Sequence, residues 1–353
     1  MSDDKQTPAI LVVDCDATDL RMFQEILKHS CKVYAAPSGE RAMTFLGNHT
    51  PDLILIDAEM LEMSEYDLIK RIKEEPRLSS IPLLFLTAQK RHEKEERVFQ
   101  RGATDYILKP ISKNTVLARV NLNVELENYR RRLDTLISEE TGRLSRTQDS
   151  MLDMLANTSS RRSGGTAGRP DRTAAYTRVI LEGLANRDNR AYSIPPVHRE
   201  YMIRASKLRD IGKMHVADGI LLKPGKLTGE EFAEIKKHAA LGATMIDGAA
   251  KSLGDDPSFL PAAREIAMTH HEWWNGSGYP GGLAGDAIPI SGRVTALSDM
   301  YESLTSNRPY RDAMTHGEAV SVIYGETGTH FDPKMMELLD YIFPKFAEIS
   351  GAP

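Results

Sequence analysis

The chain has 353 residues, 41% apolar and 27% charged, with a formal net charge of −5. That length exceeds one ordinary domain, and the balance describes a globular chain with no electrostatic footprint for a nucleic-acid duplex, so no DNA partner is expected. Cys15 and Cys31 offer neither a disulfide framework nor a zinc spacing, the polar start MSDDKQTP is no secretory signal, and no apolar run approaches the ~20 residues of a membrane span; a cytoplasmic protein without membrane insertion is expected.

In chain order, apolar runs at 9–13, 32–36, 52–56, 82–87 and 105–109 predict buried strands. Amphipathic stretches at Leu20–Leu27, Arg41–Leu46, Leu68–Ile72 and Glu95–Phe99 predict helices between them. Five strands alternating with helices imply an α/β fold with a doubly wound five-stranded parallel sheet. Chemistry in such sheets sits at the carboxyl ends of the strands. Those ends carry Asp14, Asp57, Thr87 and Lys109.

This ordered set resembles the receiver domain of two-component response regulators, here over 1–112. The resemblance implies phosphorylation of Asp57 by a sensor histidine kinase, a site formed with Asp14, Thr87 and Lys109, and Tyr106 as an aromatic switch. An aspartate nucleophile of this kind forms an acyl phosphate. One departure matters. The second acid that usually follows strand one is Cys15, a poor ligand for Mg²⁺, which prefers oxygen; Asp16 should point elsewhere. Leu61 and Glu65 replace a common proline and glycine. Weak Mg²⁺ binding and slow or absent phosphorylation are expected.

Residues 113–157 contain no proline and one glycine, Gly142. Val116, Val120, Val124, Leu126, Leu133, Leu136, Ile137, Leu144 and Met151 form a helical stripe, partly at seven-residue spacing, so a long helix with an imperfect coiled-coil seam and a homodimer are expected. The Ser, Gly and Arg-rich stretch 158–170 reads as a flexible linker. Helical patterns follow over 171–186, 198–208, 230–250, 259–274, 291–305, 317–325 and 334–343, with capping boxes at Thr228–Glu231 and Thr315–Glu318. An all-α domain over 171–353 is predicted.

That domain carries RDIGK (209–213), KKHAALG (236–242), HHEWWNGSGYP (270–280), TALSDMYESL (295–304) and SNRPYRD (306–312). Two adjacent imidazoles do not both face an apolar interior without partners, but both can face a metal. One of the two tryptophans is expected in the core. The motifs resemble the HD-GYP branch of the HD phosphohydrolases, whose members bind and hydrolyse cyclic di-GMP. The resemblance implies metal ligands Asp210, His238, His270, His271 and Asp299, with Fe, Mn or Zn as fitting ions. It also implies catalytic roles for Asp210 and Lys213, and ligand contacts from Lys213, Tyr279, Arg308 and Arg311.

The departures from the family are as telling as the matches. The histidine of the His-Asp pair is Arg209, an upstream histidine is Ala175 with Arg178 kept, and a preceding glutamate is Asp171. A guanidinium only donates hydrogen bonds and stays cationic, so it cannot ligate a metal. Beside Asp210 and Asp299 it should form an ion pair instead. His198 lies too far along its helix to substitute, and His215 follows in the next loop. One metal ion or none is expected. Two functions remain open: a response regulator whose output binds cyclic di-GMP or partner proteins with weak or no hydrolysis, or an active metal-dependent cyclic di-GMP phosphodiesterase.

Overall fold

The computed structural model describes residues 7–58, 65–87, 102–164, 168–186, 192–254, 259–307, 312–337 and 339–351. The chain divides into two compact units, Met1–Arg143 and Leu144–Pro353.

The first unit is a five-stranded parallel sheet in the order β2-β1-β3-β4-β5, from Ala9–Val13 (β1), Lys32–Ala36 (β2), Leu53–Asp57 (β3), Leu83–Thr87 (β4) and Asp105–Leu108 (β5). The central strand, LILID, is buried at every position, as a strand covered on both faces must be. Alternation sends Leu11, Val13, Ile54 and Ile56 into one core and Ile10, Val12, Leu53 and Leu55 into the other. Helices α1 (Ala17–Leu27), α2 (Gly39–Asn48) and α3 (Glu65–Glu74) follow the first three strands. The helix predicted over Glu95–Phe99 lies outside the described residues.

Helix α4 runs from Lys113 to Arg162. Its apolar stripe divides in two. Val116, Val120 and Val124 are buried in the core against one sheet face, whereas Leu126, Leu133, Leu136, Ile137, Leu144 and Met151 are exposed.

Two sequence-based boundaries need correction. The helix does not stop at 157, and 158–162 is not a flexible linker. Ser159 Oγ donates to the Asp210 carbonyl at 2.9 Å, Arg162 donates to the carbonyls of Met214 and Val216, and Arg169 is buried. Serines and arginines that look linker-like in composition here satisfy backbone carbonyls of the second unit. That unit accordingly begins at Leu144 rather than 171, with Leu152 and Ala156 packed on Leu208, Ile211, Ile246 and Ile266.

The second unit is helical: α5 (Arg169–Asn186), α6 (Pro196–Ser206), α7 (Asp218–Leu221), α8 (Gly229–Lys236), α9 (His238–Leu253), α10 (Leu260–Thr269), α11 (Ile290–Thr305), α12 (His316–Gly325), α13 (Pro333–Met336) and α14 (Leu339–Ser350), with a 3₁₀ turn over Ile211–His215. Both capping boxes form as predicted, at Thr228 and Thr315. The predicted helix 230–250 is two helices that meet at Lys237, and the predicted 259–274 ends at Thr269. His270 is therefore a helix cap, and His271 lies beyond the helix. The larger core gathers Tyr176, Leu181, Leu297, Tyr301 and Phe346. Among the described residues no helix is long and apolar enough to cross a membrane.

Candidate functional site

At the carboxyl end of the sheet, Asp14 and Asp57 are buried. Lys109 Nζ lies 3.1 Å from Asp57 Oδ2 and 3.0 Å from Asp19 Oδ2. Burial works against the ammonium, but Asp19 and Asp57 outweigh it and raise its pKa. Burial raises the Asp14 carboxyl. Thr87 ends β4, and its carbonyl accepts from the Lys109 amide at 2.8 Å. Tyr106 is half-buried on β5 opposite Phe85. Asp16 does point away: it caps α1, accepting from the Thr18 amide at 2.7 Å. Asp19 carries no motif, and the sequence reading missed it.

In the helical unit, three elements meet. The 3₁₀ turn brings Asp210, the start of α9 brings His238, and the end of α10 brings His270 and His271. One ligand atom from each of these four lies within 4.8 Å of the others. The backbone fixes both buried imidazoles. His238 Nδ1 is 2.7 Å from the Ile235 carbonyl, and His270 Nδ1 is 2.9 Å from that of Ile266. A carbonyl only accepts, so each Nδ1 carries the proton and each Nε2 presents a lone pair. Those Nε2 atoms are buried, have no hydrogen-bond partner, and lie 3.5 Å and 3.8 Å from Asp210 Oδ1. Acceptors converging in a buried space call for a cation. The donor set, one carboxylate and three imidazoles, fits a divalent transition metal.

Asp299 stands apart from this cluster. Arg209 Nε is 2.6 Å from its Oδ1, and Arg169 Nη2 is 3.1 Å from the same oxygen. Both arginines are buried, at 2% and 4% exposure. Burial opposes the Asp299 charge, but the two guanidiniums hold its carboxyl well below the usual range. Arg209 Nε also lies 4.0 Å from Asp210 Oδ2. Lys213 Nζ is 2.8 Å from Asp210 Oδ1. The pair is unequal: Asp210 is held well below its ordinary value against its own burial, while burial keeps Lys213 below its own. Arg169 was assigned to a linker, and it is the site residue the sequence reading missed most consequentially. Glu302, fully buried and 2.7 Å from Arg172, was missed as well.

The tyrosine loop closes over the histidines. Tyr279 stacks on His271 with ring centroids 4.7 Å apart, and its amide donates to the His271 carbonyl at 3.0 Å. Glu272, buried and given no role by the sequence reading, accepts from the amides of Gly281 and Leu283 at 2.6 and 3.0 Å. A Cβ at Gly278 would stand 2.3 Å from the Trp273 nitrogen, so only glycine fits there. Neither tryptophan is core: both are half-buried, Trp273 stacked on His330 and Trp274 under Arg293. Arg308 and Arg311 lie outside the described residues. Arg178 is exposed and pairs with Glu200, and Asp171 pairs with Lys207. His198 and His215 are exposed, outside the cluster.

Burial pushes the imidazoles of His238 and His330 down to about 4. Each is neutral in the folded state at pH 7, against about 6.5 for an unperturbed imidazole. Their contribution is complete above pH 6.5 and is lost as pH falls through about 4, on the order of 3 kcal/mol for His238. The melting temperature of metal-free protein should therefore fall between pH 6.5 and 4, and fall less steeply in His330→Gln. A flat profile over that window would show that these rings protonate freely when folded.

A parallel sheet with an acidic pocket, followed by a helical unit with a His/Asp cluster, defines a receiver-plus-HD response regulator. The response regulator receiver domain family matches residues 10–121, and the HD domain family matches 133–335. Among curated proteins, a probable cyclic di-GMP phosphodiesterase of Vibrio cholerae is 38% identical over 93% of this chain and 76% of its own length. The cyclic di-GMP phosphodiesterase response regulator RpfG of Xanthomonas campestris is 28% identical over 94% of this chain and 86% of its own. A cyclic di-GMP phosphodiesterase of Thermotoga maritima is 30% identical over 93% and 88%. The chain belongs to the HD-GYP response regulators.

Proposed function

We propose that this protein is a response regulator whose output domain holds one divalent transition metal ion and binds cyclic di-GMP, with hydrolysis weak or lost. The observation that carries the reading is the division of the site. Asp210, His238, His270 and His271 converge, with the Nε2 atoms of His238 and His270 unpartnered and Asp210 Oδ1 facing Lys213, while Asp299 is taken by Arg209 and Arg169. Two guanidiniums bring the two positive charges that a second divalent ion would bring, and they are fixed in place by the fold. A bound ion would act as a Lewis acid on a phosphate oxygen. Around it, Lys213 would contact a phosphate oxygen, and Tyr279 would lie against the ligand. Arg308 and Arg311 are further phosphate contacts in this reading. Two-metal hydrolysis divides the attacking and leaving oxygens between its ions, and a single electrostatic contact to developing charge is commonly worth ~10²–10³ in rate.

Elemental analysis of purified protein should give one transition-metal ion per chain, with slow or absent cyclic di-GMP turnover in added Mn²⁺ or Fe²⁺. Arg209→His alone should not restore turnover, because Ala175 still lacks the second imidazole. The second reading, an active phosphodiesterase, is favoured by the names of the relatives. Rapid turnover abolished by His270→Ala would establish it.

Asp57 is the proposed phosphoryl acceptor, and a sensor histidine kinase the proposed partner. A homodimer is proposed through the exposed seam of α4, where Leu126, Leu133, Ile137 and Leu144 are each about 60% exposed. Patches of this kind on a helix mark association surfaces. Leu133→Glu with Ile137→Glu should convert a dimer to a monomer by light scattering; an unchanged mass would remove α4 from the interface.

A further inference from the structure

We propose that Asp19 replaces the acid missing at position 15 and supplies the second carboxylate for a divalent cation beside Asp57. The inference rests on the reading of Asp57 as phosphoryl acceptor. Asp14 is fully buried; its Oδ1 accepts from the Asp16 amide at 2.8 Å, and its Oδ2 is buried with no hydrogen-bond partner. A buried carboxylate oxygen left unmatched is costly, and a cation would remove that cost. The two residues after Asp14 do not help. Cys15 is exposed and its sulfur is too soft for Mg²⁺. The Asp16 carboxylate is committed to the α1 N-cap.

Asp19 lies in the first turn of α1, three residues past that cap. Its Oδ2 is 3.0 Å from Lys109 Nζ, and the same ammonium is 3.1 Å from Asp57 Oδ2. A single ammonium thus brings the two carboxylates into one small volume. The Asp19 side chain is 24% exposed, against 6% for Asp57, so it sits at the mouth of the pocket. That suits Mg²⁺, which keeps several waters and takes one or two carboxylates. The cation is thus held by Asp14 from the strand end and by Asp19 from the helix.

Mg²⁺ titrated calorimetrically into the full-length chain tests this, with wild type, Asp19→Asn and the compensated pair Cys15→Asp/Asp19→Asn compared. Any output-domain binding is common to all three. Asp19→Asn should weaken Mg²⁺ at least tenfold, and Cys15→Asp should restore it. Acetyl-phosphate labelling of Asp57 should follow the same order. Unchanged Mg²⁺ affinity in Asp19→Asn, or failure of Cys15→Asp to compensate in a folded protein, overturns the proposal. Faster labelling in Asp19→Asn also overturns it, since Asp19 would then only tether Lys109. Labelling that is absent, or that survives Asp57→Asn, sinks the acceptor reading instead, while the Mg²⁺ titrations still decide the role of Asp19.

Discussion

Arg209→Ala should lower the melting temperature of metal-free protein by roughly 10 °C. Removing one partner of a buried ion pair strands the other charge, at a cost of about 3–5 kcal/mol. In a unit of this size each kcal/mol moves the midpoint by about 2–4 °C. Arg209 is 2% exposed, donates to Asp299 at 2.6 Å, and is among the largest fully buried side chains. Its loss opens a cavity and leaves Asp299 to Arg169 alone, a partner 3.1 Å away. Added Mn²⁺ should raise the variant's midpoint by more than that of wild type, because Asp210 and Asp299 then face each other with less compensating charge. If Arg209→Ala melts like wild type and gains nothing extra from Mn²⁺, the guanidinium is not what keeps a second ion out.

The parts of this chain that were legible in sequence are those set by local rules. Strand ends could be read because apolar runs stop at Asp14, Asp57 and Thr87, and the sheet places all three at its carboxyl end. The capping boxes at Thr228 and Thr315 could be read because a cap depends on residues three apart. What could not be read depends on distant partners. Arg169 sits in a Gly- and Ser-rich stretch, and its role appears only when Asp299, 130 residues on, meets it. Glu302 hides in the same way behind Arg172. The break at Lys237 has no glycine or proline to announce it, yet it places His238 at the start of α9. Asp19 looks like an ordinary acid in a helix's first turn until Lys109 arrives from β5's end.

Gly212→Ala is expected to be the most damaging single-methyl change in the output domain. Gly212 is buried in the 3₁₀ turn beside Asp210. A Cβ there would lie 1.9 Å from the His238 carbonyl oxygen and 2.5 Å from the Gly242 nitrogen. Both are backbone atoms of α9, so no side chain can swing aside. The reason for glycine is close approach, not a left-handed conformation, because Gly212 is absent from the positive-φ glycines. An ordinary carbon–oxygen contact is about 3.3 Å or more, so the turn and α9 would have to separate by more than an ångström. Those two elements carry Asp210 and His238, whose ligand atoms are 3.5 Å apart. Metal–ligand distances tolerate about 0.2 Å. The variant should therefore lose its metal and about 3 kcal/mol or more, the upper end for overpacking. Gly219→Ala is the control, since nothing lies within 4 Å of a Cβ at that position in α7, and it should melt like wild type with full metal content. A Gly212→Ala protein that also melts normally and carries one ion per chain would mean that the seam between the turn and α9 does not set the geometry of the site.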